Sequence, residues 1–148
     1  MNAFYEQITG HKPYEDGVSV ISGGGKTFER YLKVAQPLKK TVAVITDNDG
    51  DISRNITEKY KNYVDKNIRI CSDDNKENNT FEICVFNENQ NFFDIHKITK
   101  SDGVLDYMLN NKAEAAFRLL NLLQDENVAK DFTIPKYIKD TIEWITTN

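Results

Sequence analysis

The sequence predicts an α/β fold in which a mostly parallel sheet is flanked by helices, with a helical segment at the C-terminal end. Helical and strand-like segments alternate over residues 1–72, and strands joined through helices pair in parallel through right-handed crossovers. The run Val42–Ile45 is apolar at every position, which is typical of a parallel strand covered on both faces. Leucine and alanine recur at helical spacing between Leu105 and Leu123.

The length and composition indicate one folded domain. The chain has 148 residues, enough for one core, and 39% of them are hydrophobic, which excludes general disorder. We therefore predict a single domain over residues 1–148, with an α/β core in residues 1–72 and the remainder in 73–148. No apolar run reaches the ~18 residues that suggest a membrane span, and we see no signal peptide. We expect a cytoplasmic protein without a membrane partner.

Cysteine content, histidine content and net charge narrow the function classes. Cys71 and Cys84 form neither a disulfide framework nor a CxxC metal clip, so we expect buried reduced thiols. Two histidines and two distant cysteines do not favour a zinc site. The net charge of −4 is unlike that of proteins that bind nucleic acid by neutralising phosphates. Any contact with DNA must therefore rely on metal ions, on a local patch or on other parts of a larger protein.

The elements of the α/β core follow from apolar spacing and from the positions of glycine and proline. The first helix is NAFYEQIT, residues 2–9, and Gly10 ends it. The other predicted elements are, in order, a loop over Lys12–Gly17, a strand over Val18–Ser22, a glycine turn at 23–25, a helix over Lys26–Leu38, a strand over Thr41–Thr46, a polar helix over Ile52–Asn67 and a strand over Asn67–Cys71.

Two helices are predicted in the C-terminal half. Residues 72–79 form a polar loop, Thr80–Phe86 is an apolar segment that carries Glu82, and residues 87–102 give no clear pattern. Leu105–Leu123 is the clearest helix, since its apolar residues share one face. The segment IPKYIKDTIEWI is the second helix, and Pro135 lies near its first turn, where proline is favoured.

The loop DNDGD, residues 47–51, is the main candidate site. Asp47 and Asp49 follow a predicted strand, and ligands of parallel α/β sheets bind beyond the carboxyl ends of the strands. Side chains two apart in an extended segment point to the same side, so the two carboxylates raise each other's pKa unless a cation lies between them. Oxygen ligands on a small loop favour Mg²⁺ or Mn²⁺. Asp51 fits a third ligand or the N-cap of the next helix, and we favour the cap.

Three other interpretations of this loop are open. The first is a plain turn, because Asp, Asn and Gly are common turn formers. The second is an EF-hand-like calcium loop, since the three aspartates and Glu58 fall at positions 1, 3, 5 and 12 of that pattern. However, Ile52 and Arg54 replace its glycine and its apolar residue, and the element before the loop is predicted to be a strand. The third is a phosphoaspartyl or receiver-type acidic pocket, for which the sequence offers no clear partner set.

The segment SGGGKT, residues 22–27, is similar to a phosphate loop. The Walker pattern requires a further glycine where this chain has Val20. Gly23, Gly24 and Gly25 still permit a close approach of the backbone, and a helix N-terminus behind them favours an anion. Two interpretations are open, a βα turn without a ligand and a phosphate-facing wall of the site.

Taken together, these segments resemble the Toprim domain of the OLD (overcoming lysogenization defect) family of ATP-dependent endonucleases, over nearly the whole chain. VISGGGKTFERYLKVA resembles the family's second strand, glycine turn and following helix, and KKTVAVITDNDGD resembles the next strand and the DxD motif. TFEICVF stands where the family has a T-x-E motif, and NKAEAAFRLL and IPKYIKDTIEWI resemble its closing helices. The resemblance implies a Toprim-like, Rossmann-like fold.

The resemblance also implies metal-dependent cleavage of DNA phosphodiesters, in phage defence. It implies that Asp47 and Asp49 bind one divalent cation, that Glu82 helps to hold a second, and that Lys112 faces the scissile phosphate. These roles are chemically coherent, since two cations activate a water and stabilise the leaving oxygen, and a lysine opposes the growing charge on the phosphate. The alternatives are an edge-strand surface position for Glu82 and a solvated helix position for Lys112.

One family motif has no counterpart in the sequence. The family places a glutamate-bearing strand of the L-V-E-G type before the helix that leads into its second strand, whereas this chain begins inside that helix. We do not transfer the role of that glutamate to Glu6, and the upstream ATPase domain has no counterpart either. A shortened chain, a fragment of an interrupted gene and a subunit completed by another polypeptide each explain this. Each predicts an unpaired sheet edge that invites association, including homo-oligomer formation.

The sequence therefore predicts a divalent-metal-dependent DNA endonuclease domain of an OLD-family nuclease, partial as given and weak or inactive alone. Its expected partners are DNA and an ATPase domain or subunit supplied elsewhere. The alternative function is a non-catalytic Toprim-like remnant or interaction subunit that binds metal or a partner without cleaving. A receiver-like regulatory domain fits less well, because it requires a lysine at the end of a later strand and Lys112 lies in a predicted helix.

Overall fold

Two parallel strands and eight helices make up the described part of the chain. The structure, a computed structural model, describes residues 1–23, 28–100 and 103–148. The strands are β1 (Val42–Ile45) and β2 (Ile68–Cys71), and a 3₁₀ turn (Pro13–Asp16) and a π-helical segment (Ser53–Glu58) occur between the helices. The helices are α1 (Asn2–Thr9), α2 (Glu29–Ala35), α3 (Phe81–Glu88), α4 (Gln90–Ile95), α5 (Val104–Asn110), α6 (Lys112–Leu122), α7 (Glu126–Ala129) and α8 (Lys136–Thr147).

The sheet has the parallel pairing that the sequence predicts, although it is small. Val42 lies opposite Ile68 and Ile45 lies opposite Cys71 in the register of β1 and β2. Side chains alternate between the two faces of a strand, and those of Val42, Val44, Ile68 and Ile70 face one side. There they pack in a core cluster with Leu32 and Ala35 of α2 and with Tyr60, which follows the π-helical segment.

Helix α8 covers the opposite face of the sheet. Ile45 packs against the larger core cluster, to which Ile138 and Ile142 of α8 belong. The guanidinium of Arg69 in β2 lies 4.6 Å from the ring centroid of Trp144 in α8. The sheet is therefore covered by α2 on one face and by α8 on the other, which agrees with the predicted α/β class.

The larger cluster joins the first helix to the C-terminal half of the chain. The ring of Phe4 in α1 stacks on Phe132 with centroids 5.8 Å apart, and Phe92 in α4 meets Phe132 edge-on at 5.2 Å. Val85 of α3 and Ile138 of α8 are fully buried in the same cluster. None of the helices in the described ranges is long and apolar enough to cross a membrane.

The predicted strand over Val18–Ser22 is wrong. These residues lie outside any strand, and the side chains of Val20 and Ile21 are 48% and 66% exposed. A β-branched sequence favours a strand only when a neighbouring strand supplies hydrogen bonds and a packing surface, and β1 pairs with β2 alone within the described ranges.

The predicted single helix over Leu105–Leu123 is also wrong, because the chain forms α5 and α6 with a break at Asn111. The side-chain amides of Asn110 and Asn111 donate to the carbonyls of Asp106 and Tyr107, four residues earlier. Such side-chain bonds compete with the helix ladder. The predicted helices over Lys26–Leu38 and Ile52–Asn67 are shorter than expected, since α2 ends at Ala35 and the second gives way to a turn after Tyr60.

The prediction for α1 is confirmed, and its end has a clear physical cause. Gly10 adopts a φ of 76°, and its N–H donates to the carbonyl of Glu6. Only glycine takes this left-handed conformation without strain.

We expect Ile138→Ala to lower the free energy of unfolding by about 2–5 kcal/mol, because it empties a fully enclosed site between α8 and the rest of the core. Ile138 is 0% exposed. Urea denaturation followed by circular dichroism measures this loss. The matched control is Phe117→Ala, since Phe117 is 62% exposed and its truncation should cost no more than about 0.5 kcal/mol. Equal losses in both variants would contradict the assignment of α8 to the core.

Candidate functional site

The candidate site lies where the two strands end. The loop DNDGD follows β1, and the polar loop 72–79 follows β2 at the same edge of the sheet. The element before DNDGD is a strand, as predicted, and this disfavours an EF-hand. Residues after the carboxyl ends of neighbouring parallel strands are expected to meet there.

Asn48 joins the two loops. Its side chain is 0% exposed. Its amide nitrogen donates to the carbonyls of Asp73, Asn75 and Asn78 at 3.0, 3.1 and 3.4 Å. Its amide oxygen accepts from the N–H of Gly50 at 2.8 Å. A single buried side chain thus fixes both loops, and the sequence analysis did not single it out because a lone Asn between two Asp residues carries no pattern.

Asp47 connects the same loop to helix α3. The backbone N–H of Phe81 donates to Asp47 Oδ1 at 2.9 Å. Phe81 is the first residue of α3, whose N-cap Thr80 accepts from the N–H of Ile83. A carboxylate at a helix N-terminus satisfies an unpaired amide and is stabilised by the helix dipole. The side chain of Asp47 therefore points at the segment that carries Glu82.

The remainder of DNDGD is a tight turn in the left-handed region. Asp49 has a φ of 50° and Gly50 a φ of 78°. The Asp49 N–H donates to the carbonyl of Asn79 at 3.1 Å. Asp and Asn tolerate this conformation better than other residues with a side chain. Asp51 Oδ1 accepts from the N–H of Arg54 at 3.0 Å, which is the capping role predicted for Asp51.

Glu82 and Lys112, far apart in the sequence, form an ion pair. Lys112 Nζ lies 2.8 Å from Glu82 Oε2, and the side chains are 54% and 12% exposed. Glu82 lies in the first turn of α3, and Lys112 is the first residue of α6. The structure thus brings two predicted site residues into direct contact and joins the third, Asp47, to the residue next to Glu82.

The three predicted metal ligands do not converge on one point. Their oxygen atoms do not form a group in which all lie within 4.8 Å of one another, and the part of the chain that is described contains one group that does, Asp73, Cys84 and Glu88. Carboxylate oxygens such as those of Asp47 and Asp49 are the donors that Mg²⁺ and Mn²⁺ prefer.

The group of Asp73, Cys84 and Glu88 was missed by the sequence analysis. Cys84 Sγ lies 3.0 Å from Asp73 Oδ2 and 3.6 Å from Glu88 Oε1. Burial, then the hydrogen bond to Asp73, raises the pKa of the Cys84 thiol well above its ordinary value. Metals bind the thiolate, so this group is held as a hydrogen-bonded thiol rather than as a ready metal ligand. Asp73 follows β2 in the same way as Asp47 follows β1, so its position at the carboxyl end of a strand could have identified it as a candidate site residue.

Burial raises the pKa of Glu88 above its ordinary value, the hydrogen bond from Cys84 lowers it, and the charge of Asp73 raises it further.

Tyr137 lies beside the same acidic groups. Burial raises the pKa of its hydroxyl, and interactions with Cys84 and with the carboxylates of Asp47, Asp73 and Glu88 raise it further. Tyr137, in the first turn of α8, therefore lies near the acidic end of the sheet.

The remaining predicted features are the glycine turn, the two cysteines and the two histidines. Gly23 is half-buried, whereas Gly24 and Gly25 lie outside the described residues. Both cysteines are free thiols, Cys84 buried and Cys71 half-buried, which agrees with the prediction of reduced thiols. His11 is exposed beside Asp16, and His96 is partly covered beside Asp131.

The comparisons with known proteins bear on the first third of the chain. Residues 1–49 match the family model described as the overcoming lysogenization defect protein-like, TOPRIM domain. The match covers α1, α2, β1 and the first two aspartates of DNDGD, and it confirms the predicted resemblance over that segment. Comparisons with curated proteins and with solved structures returned no match.

We expect Asn48→Ala to lower the free energy of unfolding by about 2–4 kcal/mol, because it removes a fully buried side chain together with its hydrogen bonds to both loops. Chemical denaturation measures the loss. Asn62→Ala is the control, since Asn62 lies in an exposed turn and should change stability by less than about 0.5 kcal/mol. A loss for Asn48→Ala as small as that of the control would mean that the two loops are held by other contacts.

We expect Glu88→Gln to raise the melting temperature at pH 7 in metal-free buffer. The folded state raises the pKa of Glu88 above its ordinary value of 4.5. Folding therefore favours the protonated acid, and ionised Glu88 destabilises the fold as the pH rises through the folded pKa. Glutamine removes that loss, so the difference from the wild type should shrink toward zero below pH 4.5. Glu77→Gln, at a position 76% exposed in its side chain, is the control. A pH-independent difference would contradict the assignment.

Proposed function

We propose that this chain is the metal-binding part of a Toprim-type nuclease that hydrolyses DNA phosphodiesters. The match of residues 1–49 to a TOPRIM domain supports a nuclease-type metal-binding domain. The cation is Mg²⁺ or Mn²⁺, bound by Asp47 and Asp49, and the substrate is DNA. An ATPase domain or subunit completes the enzyme.

One observation carries the proposal, the hydrogen bond from the Phe81 N–H to Asp47 Oδ1 at 2.9 Å. It joins the DNDGD loop to the turn that holds Glu82, and Glu82 in turn contacts Lys112. Four residues on three separate segments thus belong to one connected surface at the carboxyl end of the sheet. A plain turn requires no such connection to α3 and α6.

The donor set of this surface fits a hard cation. Asp47 and Asp49 supply carboxylate oxygens, and neither brings a soft ligand to the loop. A bound divalent cation would supply a Lewis acid for the phosphate and an activated water. Asp47 is oriented by its bond to α3, and Asn48 fixes the backbone on which both aspartates stand. Lys112, 54% exposed in its side chain, can turn toward a phosphate that replaces Glu82 as its partner.

A second candidate function is a non-catalytic remnant or interaction subunit. It is favoured by the 2.8 Å ion pair, in which Lys112 already neutralises Glu82 where a second cation would be needed. It is also favoured by the arrangement of Asp47, Asp49 and Glu82, whose oxygen atoms do not all lie within 4.8 Å of one another. In that case the DNDGD loop binds a single ion or none, and no hydrolysis follows.

We expect Mg²⁺ or Mn²⁺ titrated into the full chain to give a calorimetric binding signal that disappears in the double variant Asp47→Asn/Asp49→Asn. Asparagine removes the charge, keeps an acceptor for the Phe81 N–H and tolerates the left-handed φ of residue 49. The control is Asp51→Asn/Asp74→Asn, which removes two exposed charges and should keep the binding. Loss of binding in the control alone would contradict the assignment of Asp47 and Asp49.

Hydrolysis then separates the two candidate functions. Nicking of supercoiled DNA in the presence of the cation, abolished in Lys112→Gln but not in Lys139→Gln, would support the nuclease. Cation binding without nicking would support the non-catalytic function, provided that nicking is still absent after an ATPase-bearing partner is added.

A further inference from the structure

Exposed lysines gather at the end of the sheet opposite DNDGD. Lys39 and Lys40 lie just before β1, and Lys66 lies just before β2. Lys33 lies in the last turn of α2, which packs on the sheet. All four side chains are exposed. We call Lys33, Lys39, Lys40 and Lys66 the basic edge.

Hydrogen bonds hold the segments of the basic edge together. The side-chain amide of Asn67 donates to the carbonyl of Lys39 at 2.9 Å, and the N–H of Val42 donates to the carbonyl of Asn67 at 2.8 Å. The side-chain amide of Gln36 donates to the carbonyl of Asn62 at 3.1 Å. The segments that carry Lys39, Lys40 and Lys66 are therefore neighbours in space, although they are separated in the sequence.

Few carboxylates lie close to the basic edge in the sequence, the nearest being Glu29, one helical turn before Lys33, and Asp65, next to Lys66. Residues 30–46 contain no Asp or Glu, and Asp65 is the only carboxylate in residues 59–72. Within the described ranges none of the four lysines takes part in an ion pair, whereas Lys61, Lys112, Lys136 and Lys139 do. Like charges kept together without partners cost stability, so such a group points to an anionic partner.

The opposite end of the sheet is acidic, and the molecule is therefore polarised along the strands. Residues 47–51 carry three aspartates, and residues 73–88 carry five carboxylates and one lysine. The net charge of −4 hides this separation. A four-residue strand is about 13 Å long, which corresponds to about four phosphates along one DNA strand.

We propose that the basic edge binds the phosphate backbone of nucleic acid without a metal ion and so holds DNA along the sheet toward DNDGD. The choice of nucleic acid over another polyanion rests on the proposed function. The lysines contact phosphates and carry no sequence preference. The acidic end repels the same backbone until a cation is bound there.

The test is binding of a fluorescein-labelled DNA duplex of random sequence to the full chain in EDTA, followed by anisotropy from about 50 to 200 mM salt. The variant is Lys39→Gln/Lys40→Gln/Lys66→Gln, and the control is Lys97→Gln/Lys100→Gln/Lys130→Gln, three exposed lysines elsewhere. We expect the variant to bind at least about 10-fold more weakly at low salt, with a slope of log K against log salt reduced by about 2 to 3. The control should bind as the wild type does.

Absence of wild-type binding in EDTA would overturn the proposal, and so would an equal loss of binding in both variants. Leu38 and Val64 are 62% and 55% exposed near the lysines, so self-association through this edge is the competing result. If the variant changes the sedimentation coefficient of the free protein but not its affinity for DNA, the partner of the basic edge is a second copy of the chain and not nucleic acid. Because EDTA removes the cation, failure of metal binding at DNDGD leaves this result unchanged, and the two proposals fail separately.

Discussion

The buried amide of Asn48 is the interaction on which the acidic end of the sheet depends. Two loops leave the ends of β1 and β2, and three carbonyls of the second loop accept hydrogen bonds from the buried side chain of Asn48. An amide supplies two N–H donors and one acceptor from the same side chain. Aspartate has no donor for these carbonyls, and an apolar residue has none either. The asparagine in DNDGD is thus fixed by hydrogen bonding, whatever its two neighbours bind.

The structure also changes the explanation of how the charges of Asp47 and Asp49, on either side of Asn48, are stabilised. From the sequence, Asp47 and Asp49 on one side of a strand end require a cation to offset their repulsion. In the fold, Asp47 accepts the Phe81 N–H at the N-terminus of α3, and the helix dipole stabilises its charge. The left-handed backbone at Asp49 breaks the extended geometry that would align the two side chains. The hydrogen bond to α3 thus gives Asp47 a stabilising contact that requires no cation.

The sequence predicted those elements whose formation is decided locally. The apolar spacing and Gly10 predicted α1, and the uninterrupted run Val42–Ile45 predicted the strand buried on both faces. The segment around Val20 was wrongly predicted to be a strand because pairing depends on a neighbouring strand, which a sequence pattern does not reveal. The position of Asp73 after β2 marks it as a candidate, but its contact with Cys84 was missed for a related reason. That contact depends on how α3 packs against the loop after β2, and no periodic pattern in the sequence predicts such packing.

The ion pair of Glu82 with Lys112 links this argument to function. A lysine at the first position of α6 faces the positive end of the helix dipole, which disfavours it, so the position is not that of an ordinary surface lysine. Glu82, only 12% exposed in its side chain, needs a positive partner in a site that water reaches poorly. Under the proposed nuclease function, Lys112, 54% exposed in its side chain, would turn toward the phosphate, and a divalent cation would replace it as the counterion of Glu82.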